Sequence, residues 1–404
     1  LDMTSNWTNS TLGELSIGGR GYYGIGASAV PYSTELYTYL RITDINDDGT
    51  LNMSDLKSVS DEKATDYLLK PNDIVFARTG ASTGRNYFYD GTDGEFVFAG
   101  FLIKFSLDPE KVNPRYIKYY CLSKEYRDWI AAFNTGSTRG NINAQTLASM
   151  PISLPDKTIQ DRVVKVLDAL EEKRKSNTKI NDNLQQQAAA IFRSWFVDCI
   201  PFGGTVPDEW KNVTLEDITS LVSRGITPKY ADDTDQIVIN QKCIRNHMID
   251  LSFARNHRPK VINNKWLRFG DLLINSTGDG TLGRAAQVWF QPHNLTVDSH
   301  VTIVRPAAEN MIFYIGLWGT QHEKEIESLH TGSTGQTELP RDRVKAIELL
   351  LPDKETMDRF NALIAPMAAA IVSNQEENNR LASIRDALLP KLMSGRIDVS
   401  AIRL

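Results

Sequence analysis

After Pro155 the apolar positions begin to step by fours and threes, at Ile159, Val163, Val166, Leu170, Ile180, Leu184 and Ile191. That spacing is the seam of a coiled coil held over several heptads. Asp156 supplies an N-cap, and Pro201-Phe202-Gly203-Gly204 stops the helix after about Phe196. Some forty residues rising 1.5 Å each make a rod of roughly 60 Å. A second rod opens near Asp353, with Met357, Phe360, Ile364, Met367, Ile371, Leu381, Ile384 and Leu388 on one face and Pro366 expected to bend it. Lys173 and Asn177 interrupt the first seam near its middle, and Asn374 and Asn378 interrupt the second near its middle. Middle meets middle only if the helices run antiparallel. A polar layer there fixes register at some cost in stability; the alternative is a solvated stretch between two apolar ends.

Elsewhere the pattern is of short runs punctuated by Gly, Asn and Asp. Tyr39–Ile42, Ile74–Phe76 and Phe101–Phe105 read as strands, as do Ile237–Ile239, Leu272–Ile274 and Val301–Val304. A helix is expected near Pro114 to Phe133, with a counterpart near Asn310 to Leu329. These runs recur because the chain is an internal repeat of about 200 residues, the kind of period that decides an architecture. Trp7-Thr8-Asn9-Ser10-Thr11-Leu12 answers to Trp210-Lys211-Asn212-Val213-Thr214-Leu215, and Arg20-Gly21 to Arg224-Gly225. Leu69–Ile74 answers to Leu267–Leu272, Thr79-Gly80 to Thr277-Gly278, and Gly84-Arg85 to Gly283-Arg284. Thr135-Gly136-Ser137-Thr138 recurs as Thr331-Gly332-Ser333-Thr334, and Leu154-Pro155-Asp156-Lys157 recurs whole as Leu351-Pro352-Asp353-Lys354. The expected fold is α+β, with two pseudo-repeated globular domains separated by two long helices that form an antiparallel coiled coil. The boundaries are 1–153 for the first domain, 154–200 for the central helix, 201–350 for the second domain and 351–404 for the last helix.

Composition is consistent with folded domains: 41% of residues are apolar and 24% charged, far from the profile of disordered chains. Neither a membrane span nor a signal peptide is readable, and Cys121, Cys199 and Cys243 are scattered without a C-x-x-C pair, so a reducing, cytoplasmic setting is expected. The net charge of −5 runs against nucleic-acid binding, whose affinity rests on phosphate neutralisation, unless basic residues are focused on one face or a partner supplies charge.

Several motifs that suggest chemistry fail in context. Gly19-Arg20-Gly21-Tyr22-Tyr23-Gly24 spells a dinucleotide fingerprint, but no strand precedes it and no helix follows before Pro31. Asp44-Ile45-Asn46-Asp47-Asp48-Gly49 imitates the first half of a calcium loop, yet its flanks read as strand, which favours an Asp-Gly turn. Arg78–Arg85 is Gly-rich without the closing G-K-[ST] of a phosphate loop. Pro155-Asp156 and Glu171-Glu172-Lys173 resemble a nuclease carboxylate set but lie more than two turns apart on one helix. All six His lie between His247 and His330 without metal-ligand spacing, and no Asn-Pro-Pro-Tyr of an amine methyltransferase occurs. No catalytic residue and no metal site is expected; chemistry would belong to partners.

Val206-Pro207-Asp208-Glu209-Trp210 through Leu215-Glu216-Asp217-Ile218 resembles the domain-opening motif of the specificity subunits of type I restriction-modification systems. Leu388-Leu389-Pro390-Lys391-Leu392-Met393-Ser394-Gly395 resembles their closing helix, and Leu154-Pro155 with Gln160 their entry into the central helix. The first repeat lacks the Pro before Trp7, and Met357 replaces the Gln in the second. The resemblance spans essentially the whole chain. It implies a non-catalytic subunit whose domains each read half of a bipartite double-stranded DNA target, the helices acting as a ruler and as a dock for two modification subunits. Those subunits would bring S-adenosylmethionine and methylate adenine, and a motor-nuclease restriction subunit would join for cleavage. A specificity module of another restriction-modification type and a protein-binding adaptor are the alternatives.

Base edges and phosphates are read by Arg, Lys, Asn, Gln, Ser and Thr on short loops. In the first domain the candidates are Arg20, Tyr22, Arg78, Thr79, Ser82, Arg85, Arg139 and Asn141; in the second, Arg224, Lys229, Lys242, Arg245, Ser276, Thr277, Arg284 and Gln336. The candidate docking residues on the helices are Ile159, Val163, Leu170, Ile180, Leu184, Ile191, Phe360, Ile364, Ile371, Leu381 and Leu388.

Overall fold

The computed structural model describes residues 7–133, 140–258, 262–278, 280–332, 337–397 and 399. The chain divides into two units, one of residues 1–173 with 380–404 and the other of residues 174–379. Each holds a β-rich domain and one end of both long helices, Lys157–Phe196 and Lys354–Met393.

In the first unit Thr8–Thr11 pairs antiparallel with Pro151–Leu154, closing the domain beside the start of the first long helix. A four-stranded antiparallel sheet runs in the order Tyr22–Tyr23, Leu102–Ser106, Asp73–Ala77, Asn86–Tyr89. A second sheet contains Ala29–Pro31, Lys57–Val59, Thr38–Leu40 and Phe96–Phe98, the last two parallel. The predicted helix near Pro114 is two helices, Pro114–Tyr120 and Lys124–Ala131. Ser123 breaks it by becoming an N-cap whose hydroxyl accepts from the Tyr126 amide at 3.2 Å.

The second unit repeats this topology, with three strands in place of four in the smaller sheet. Lys211–Thr214 pairs with Glu348–Leu351, and the larger sheet runs Thr219–Arg224, Val301–Pro306, Leu272–Asn275, Ala285–Gln287. Ile237–Ile239 lies parallel to Leu295–Val297, as Thr38–Leu40 lies to Phe96–Phe98. Its helices are Ile312–Gln321 and Glu323–Ser328. The strands of the sheet cores are buried on both faces, which is why they read as unbroken apolar runs and not as alternation.

The helix entries follow the expected capping. Asp156 accepts from the Ile159 amide and Asp353 from the Thr356 amide, each at 3.0 Å. Gln160 accepts from the Asn113 amide at 2.9 Å, while Met357 at the matching position is buried in the core of its unit. The second helix continues through Pro366. Within each unit the two helices pack antiparallel: Glu171 meets Arg385 in the first, and Phe192 meets Phe360 in the second.

The polar layer is present. Asn177, fully buried, donates to Asn378 at 3.0 Å and to Glu377 at 2.8 Å, and Asn374 donates to Asn181 at 2.8 Å. Ile180 is 45% exposed and outside the seam, because stepping by fours and threes from Val163 through Leu167 reaches Asn177 and Asn181. An apolar-only reading passed over the in-register asparagines and took the neighbouring Ile. Ile384 is exposed for the same reason, its seam place being held by Arg385, which faces Glu171. Among the described residues no helix is long and apolar enough to cross a membrane.

Candidate nucleic-acid interface

Each large sheet ends in a glycine at which the chain passes under a neighbouring loop. The Gly24 amide donates to Leu102 and the Ile25 amide to Phe98; a Cβ on Gly24 would lie 2.3 Å from the Phe98 and Ala99 carbonyl oxygens. The Gly225 amide donates to Val301 and the Ile226 amide to Val297, and a Cβ there would lie 1.9 Å from the Val297 oxygen. Gly24 and Gly225 are therefore equivalent, which places Arg224 opposite Tyr23. The Arg20-Gly21 to Arg224-Gly225 correspondence read from sequence is three residues out of register, since strand pairing and close approach, not the Arg-Gly letters, define the repeat.

In the first domain, backbone pairing draws three loops together. Thr79 bridges Asn141, the Ile142 amide donates to the Arg78 carbonyl at 2.9 Å, and the Arg78 amide donates to Phe101 at 3.0 Å. The Thr83 hydroxyl clamps the Gly80 and Gly140 carbonyls at 2.8 and 3.1 Å. The Arg78 guanidinium lies over the Tyr23 ring, 5.1 Å from its centroid. Arg20 lies over Tyr22 and donates to its hydroxyl at 3.3 Å. Phe101 is 57% exposed, and Asn141 is exposed with its backbone pinned. Cations, stacked aromatics and an amide on a rigid edge are the chemistry that duplex DNA requires of a reader.

Arg85 is not part of this edge. Its Nε pairs with Asp47 at 2.6 Å and its Nη1 donates to the Ile45 carbonyl at 3.2 Å, so it ties down the 45–51 turn. That turn is the expected Asp-Gly turn: Ile45 bridges Leu51, and Asp44 is bound by Arg41 at 2.6 Å. Gly84, at φ 88°, packs its α-carbon against Ile130, and its carbonyl accepts from the Tyr126 hydroxyl at 2.5 Å. The repeated Gly-Arg is thus a strand-to-helix packing device. Ser82 is half-buried and accepts, through its carbonyl, from the Arg85 amide at 2.9 Å.

The second domain builds the same edge with different groups. Thr277 bridges Glu338, the Leu339 amide donates to the Ser276 carbonyl and the Ser276 amide to His300, each at 2.8 Å. Ser276, where the first domain has Arg78, is fully buried with its hydroxyl 2.5 Å from that of Thr302, so it is a core residue and not a contact candidate. Arg224, where the first domain has Tyr23, donates to the Leu339 carbonyl at 2.8 Å and pairs with Glu338 at 2.5 Å. The Thr277 hydroxyl is shared with His300 Nδ1 at 2.8 Å and Gln241 at 3.3 Å. Lys242 is exposed, and Arg245 stacks on Phe253 while donating to the Lys242 carbonyl at 3.0 Å. Lys229 is exposed. Arg284 donates to the Gly280 carbonyl at 2.9 Å, and Gly283 lies against Glu323 and Glu327, the counterpart of the Gly84 packing.

Arg139, Gln336 and the Thr135–Thr138 loop lie outside the described residues. Sequence reasoning missed Tyr23, Phe101, Gln241, His300 and Glu338. Aligning the halves on the glycines that pass under a loop would have placed Tyr23 beside Arg224.

Val163, Phe360, Ile364 and Ile371 are buried and Ile159, Leu170, Leu184, Ile191, Leu381 and Leu388 half-buried, so these side chains hold the helices to each other and to their own domains. Burial raises the Cys121 thiol well above its ordinary range and pushes Cys243 up to about 11, leaving both protonated at neutral pH. Glu323, 3.5 Å from His247, raises the pKa of that imidazole. Among the described residues no three His, Cys, Asp or Glu side chains gather as a metal site.

Comparison with known proteins agrees with this architecture. Residues 4–186 match the type I restriction modification DNA specificity domain, and the second half repeats the topology of that stretch. The chain is 23% identical to the type I restriction enzyme HindI specificity subunit of Haemophilus influenzae, over 81% of this chain and 87% of that protein. It is 24% identical to the MjaIX specificity subunit of Methanocaldococcus jannaschii, over 72% of this chain and 71% of that one. In fold it is similar to the type I restriction-modification S subunit from M. genitalium, at a TM-score of 0.55 and 15% identity, covering 96% of both chains. Residues 4–186 thus carry the type I restriction modification DNA specificity domain, and the repeated domains and paired helices make the chain similar along most of its length to the specificity subunits of type I restriction-modification systems.

Proposed function

We propose that the chain is the sequence-reading subunit of a type I restriction-modification complex in which each β-rich domain reads one half of a bipartite duplex target. The observation that carries this is the doubled loop edge: one chain builds the same backbone cradle twice, at Thr79–Asn141 and at Thr277–Glu338, and fills it with different polar and charged side chains. A fold kept constant under loops that differ is what two readers of two sequences require. The chain leaves methyl transfer and cleavage to its partners. Two modification subunits, bringing S-adenosylmethionine, dock on the outward faces of the long helices, and a motor-nuclease subunit joins for cleavage. These partners supply phosphate contacts that a chain of net charge −5 lacks.

Methylome sequencing of cells with and without the gene, its cognate modification subunit present in both, tests the reading. The expected result is one split motif that is methylated only when the gene is present. Identical methylation in both strains would remove it.

A further inference from the structure

Glu338 is an unexpected group on a face that meets a polyanion. A carboxylate turned toward phosphates is repelled, and the repulsion grows as water is excluded from the interface. Yet its position is built with care. Its backbone is pinned by the bridge to Thr277, with a second bridge to Thr331, and its Oε1 is held 2.5 Å from Arg224 Nη1. Arg224 is in turn anchored by the Leu339 carbonyl at 2.8 Å. The side chain is 55% exposed, and no hydrogen bond to Oε2 occurs among the described residues. The carboxylate is therefore oriented, partly neutralised from behind, and left with one acceptor that meets no donor among the described residues.

An oriented acceptor on a DNA-reading edge has use only where the duplex offers a donor. In the major groove the donors are the exocyclic amino groups of cytosine and adenine. Adenine places its N7 acceptor beside the amine, which opposes a carboxylate with no proton to give, whereas cytosine places only a C–H there. The counterpart of Glu338 by backbone pairing is Asn141, which both donates and accepts and so matches the N6 and N7 pair of adenine.

Resting on the proposed DNA-reading role of both domains, we infer that positions 338 and 141 are equivalent base-reading positions, Glu338 accepting from a cytosine amino group in one half-site and Asn141 pairing with an adenine in the other. Glu338→Gln keeps the size and adds a donor, so it should convert one letter of one half-site from cytosine to adenine. Asn141→Glu should convert an adenine to cytosine in the other half-site.

The test is methylome sequencing of the complex carrying each variant, next to the unaltered complex. The expected result is a motif changed at one letter in one half, with the other half and the gap retained. A second measurement needs no variant: binding of the unaltered complex to duplexes in which each cytosine of the motif is replaced in turn by 2-pyrimidinone, which lacks the amino group. One position should weaken binding tenfold or more, and that position should be the letter altered by Glu338→Gln. If no cytosine position responds, or if both variants lower methylation equally across all sites without changing a letter, the inference is overturned while DNA reading stands. An unaltered complex that methylates no motif would remove the underlying reading, and this inference with it.

Discussion

The two recognition domains share a topology down to the glycine that passes beneath a loop, yet they place their arginine on opposite sides of the same edge. In the first, Arg78 reaches across to stack on Tyr23; in the second, Arg224 stands where Tyr23 was and the position of Arg78 is a buried Ser276. Backbone pairing is common to both edges, and side chains are exchanged between them. The lesson is that residues repeated in sequence, such as Gly84-Arg85 and Gly283-Arg284, are repeated because they hold the scaffold. On the proposed function, the groups that read DNA lie where the halves differ.

The largest expected effect tests the scaffold. Asp73 and Asp271 are equivalent, each accepting at 2.8 Å from an amide three residues before it, but Asp271 also forms a buried two-point pair with Arg305, whose remaining donors reach the Asn264 and Trp266 carbonyls. Asp73 meets instead Ser106 at 2.5 Å and Lys104 at 3.2 Å. Removing one partner of a buried pair costs roughly 3–5 kcal/mol. The Asp73–Lys104 pair is buried as well, so both changes, Asp73→Asn and Asp271→Asn, should lower the melting temperature of the chain by calorimetry, and Asp271→Asn by more, because it breaks a two-point pair with a more deeply buried guanidinium. Equal losses would contradict the distinction.

Next is the equivalence of Gly24 and Gly225. Each alanine substitution forces a Cβ against carbonyl oxygens and should cost roughly 3 kcal/mol by overpacking, whereas Gly26→Ala, which meets nothing within 4 Å, should leave denaturant midpoints unchanged. A tolerated Gly225→Ala would break the register on which the comparison rests.

The reading edge is tested by Arg78→Ala against Arg85→Ala. Arg78→Ala should weaken binding to the cognate duplex by about 1–3 kcal/mol, measured by fluorescence anisotropy, because a guanidinium is lost from the edge. Arg85→Ala should change stability and leave affinity intact, because Arg85 is committed to Asp47. The reverse outcome would exchange their roles.

The smallest effect is a pH dependence confined to the second domain. The His247 pKa is raised by Glu323, so the pair stabilises the fold fully below the ordinary histidine value of 6.5, and the contribution disappears as pH rises through the folded value. Both groups are partly exposed, which screens the pair to a few tenths of a kcal/mol. His247→Gln should therefore lower stability slightly at pH 5.5 and not at pH 8.5, read from urea titrations. The same loss at both values would assign it to packing.

Much of this architecture was readable without coordinates. Period and capping marked both long helices almost to the residue, and collinear repeats located both domains, because heptads and strand cores leave strong apolar signals. Where polar residues took seam positions, at Asn177, Asn181 and Arg385, the apolar rule moved to Ile180 and Ile384. The candidate site was less legible. Thr79, Arg78 and Asn141, chosen from loop composition, lie together on one edge, but Ser276 is buried by the sheet it ends, and Arg85 is diverted by an aspartate 38 residues away in sequence. Long-range pairing of that kind has no local signature.

The central claim is that each domain reads its own half of the target. It is tested most directly by methylome sequencing of a complex whose chain carries Arg78→Ala, Phe101→Ala and Asn141→Ala together. The account predicts a motif that loses letters in one half and keeps every letter of the other. Letters relaxed in both halves, or an unchanged motif, would contradict it.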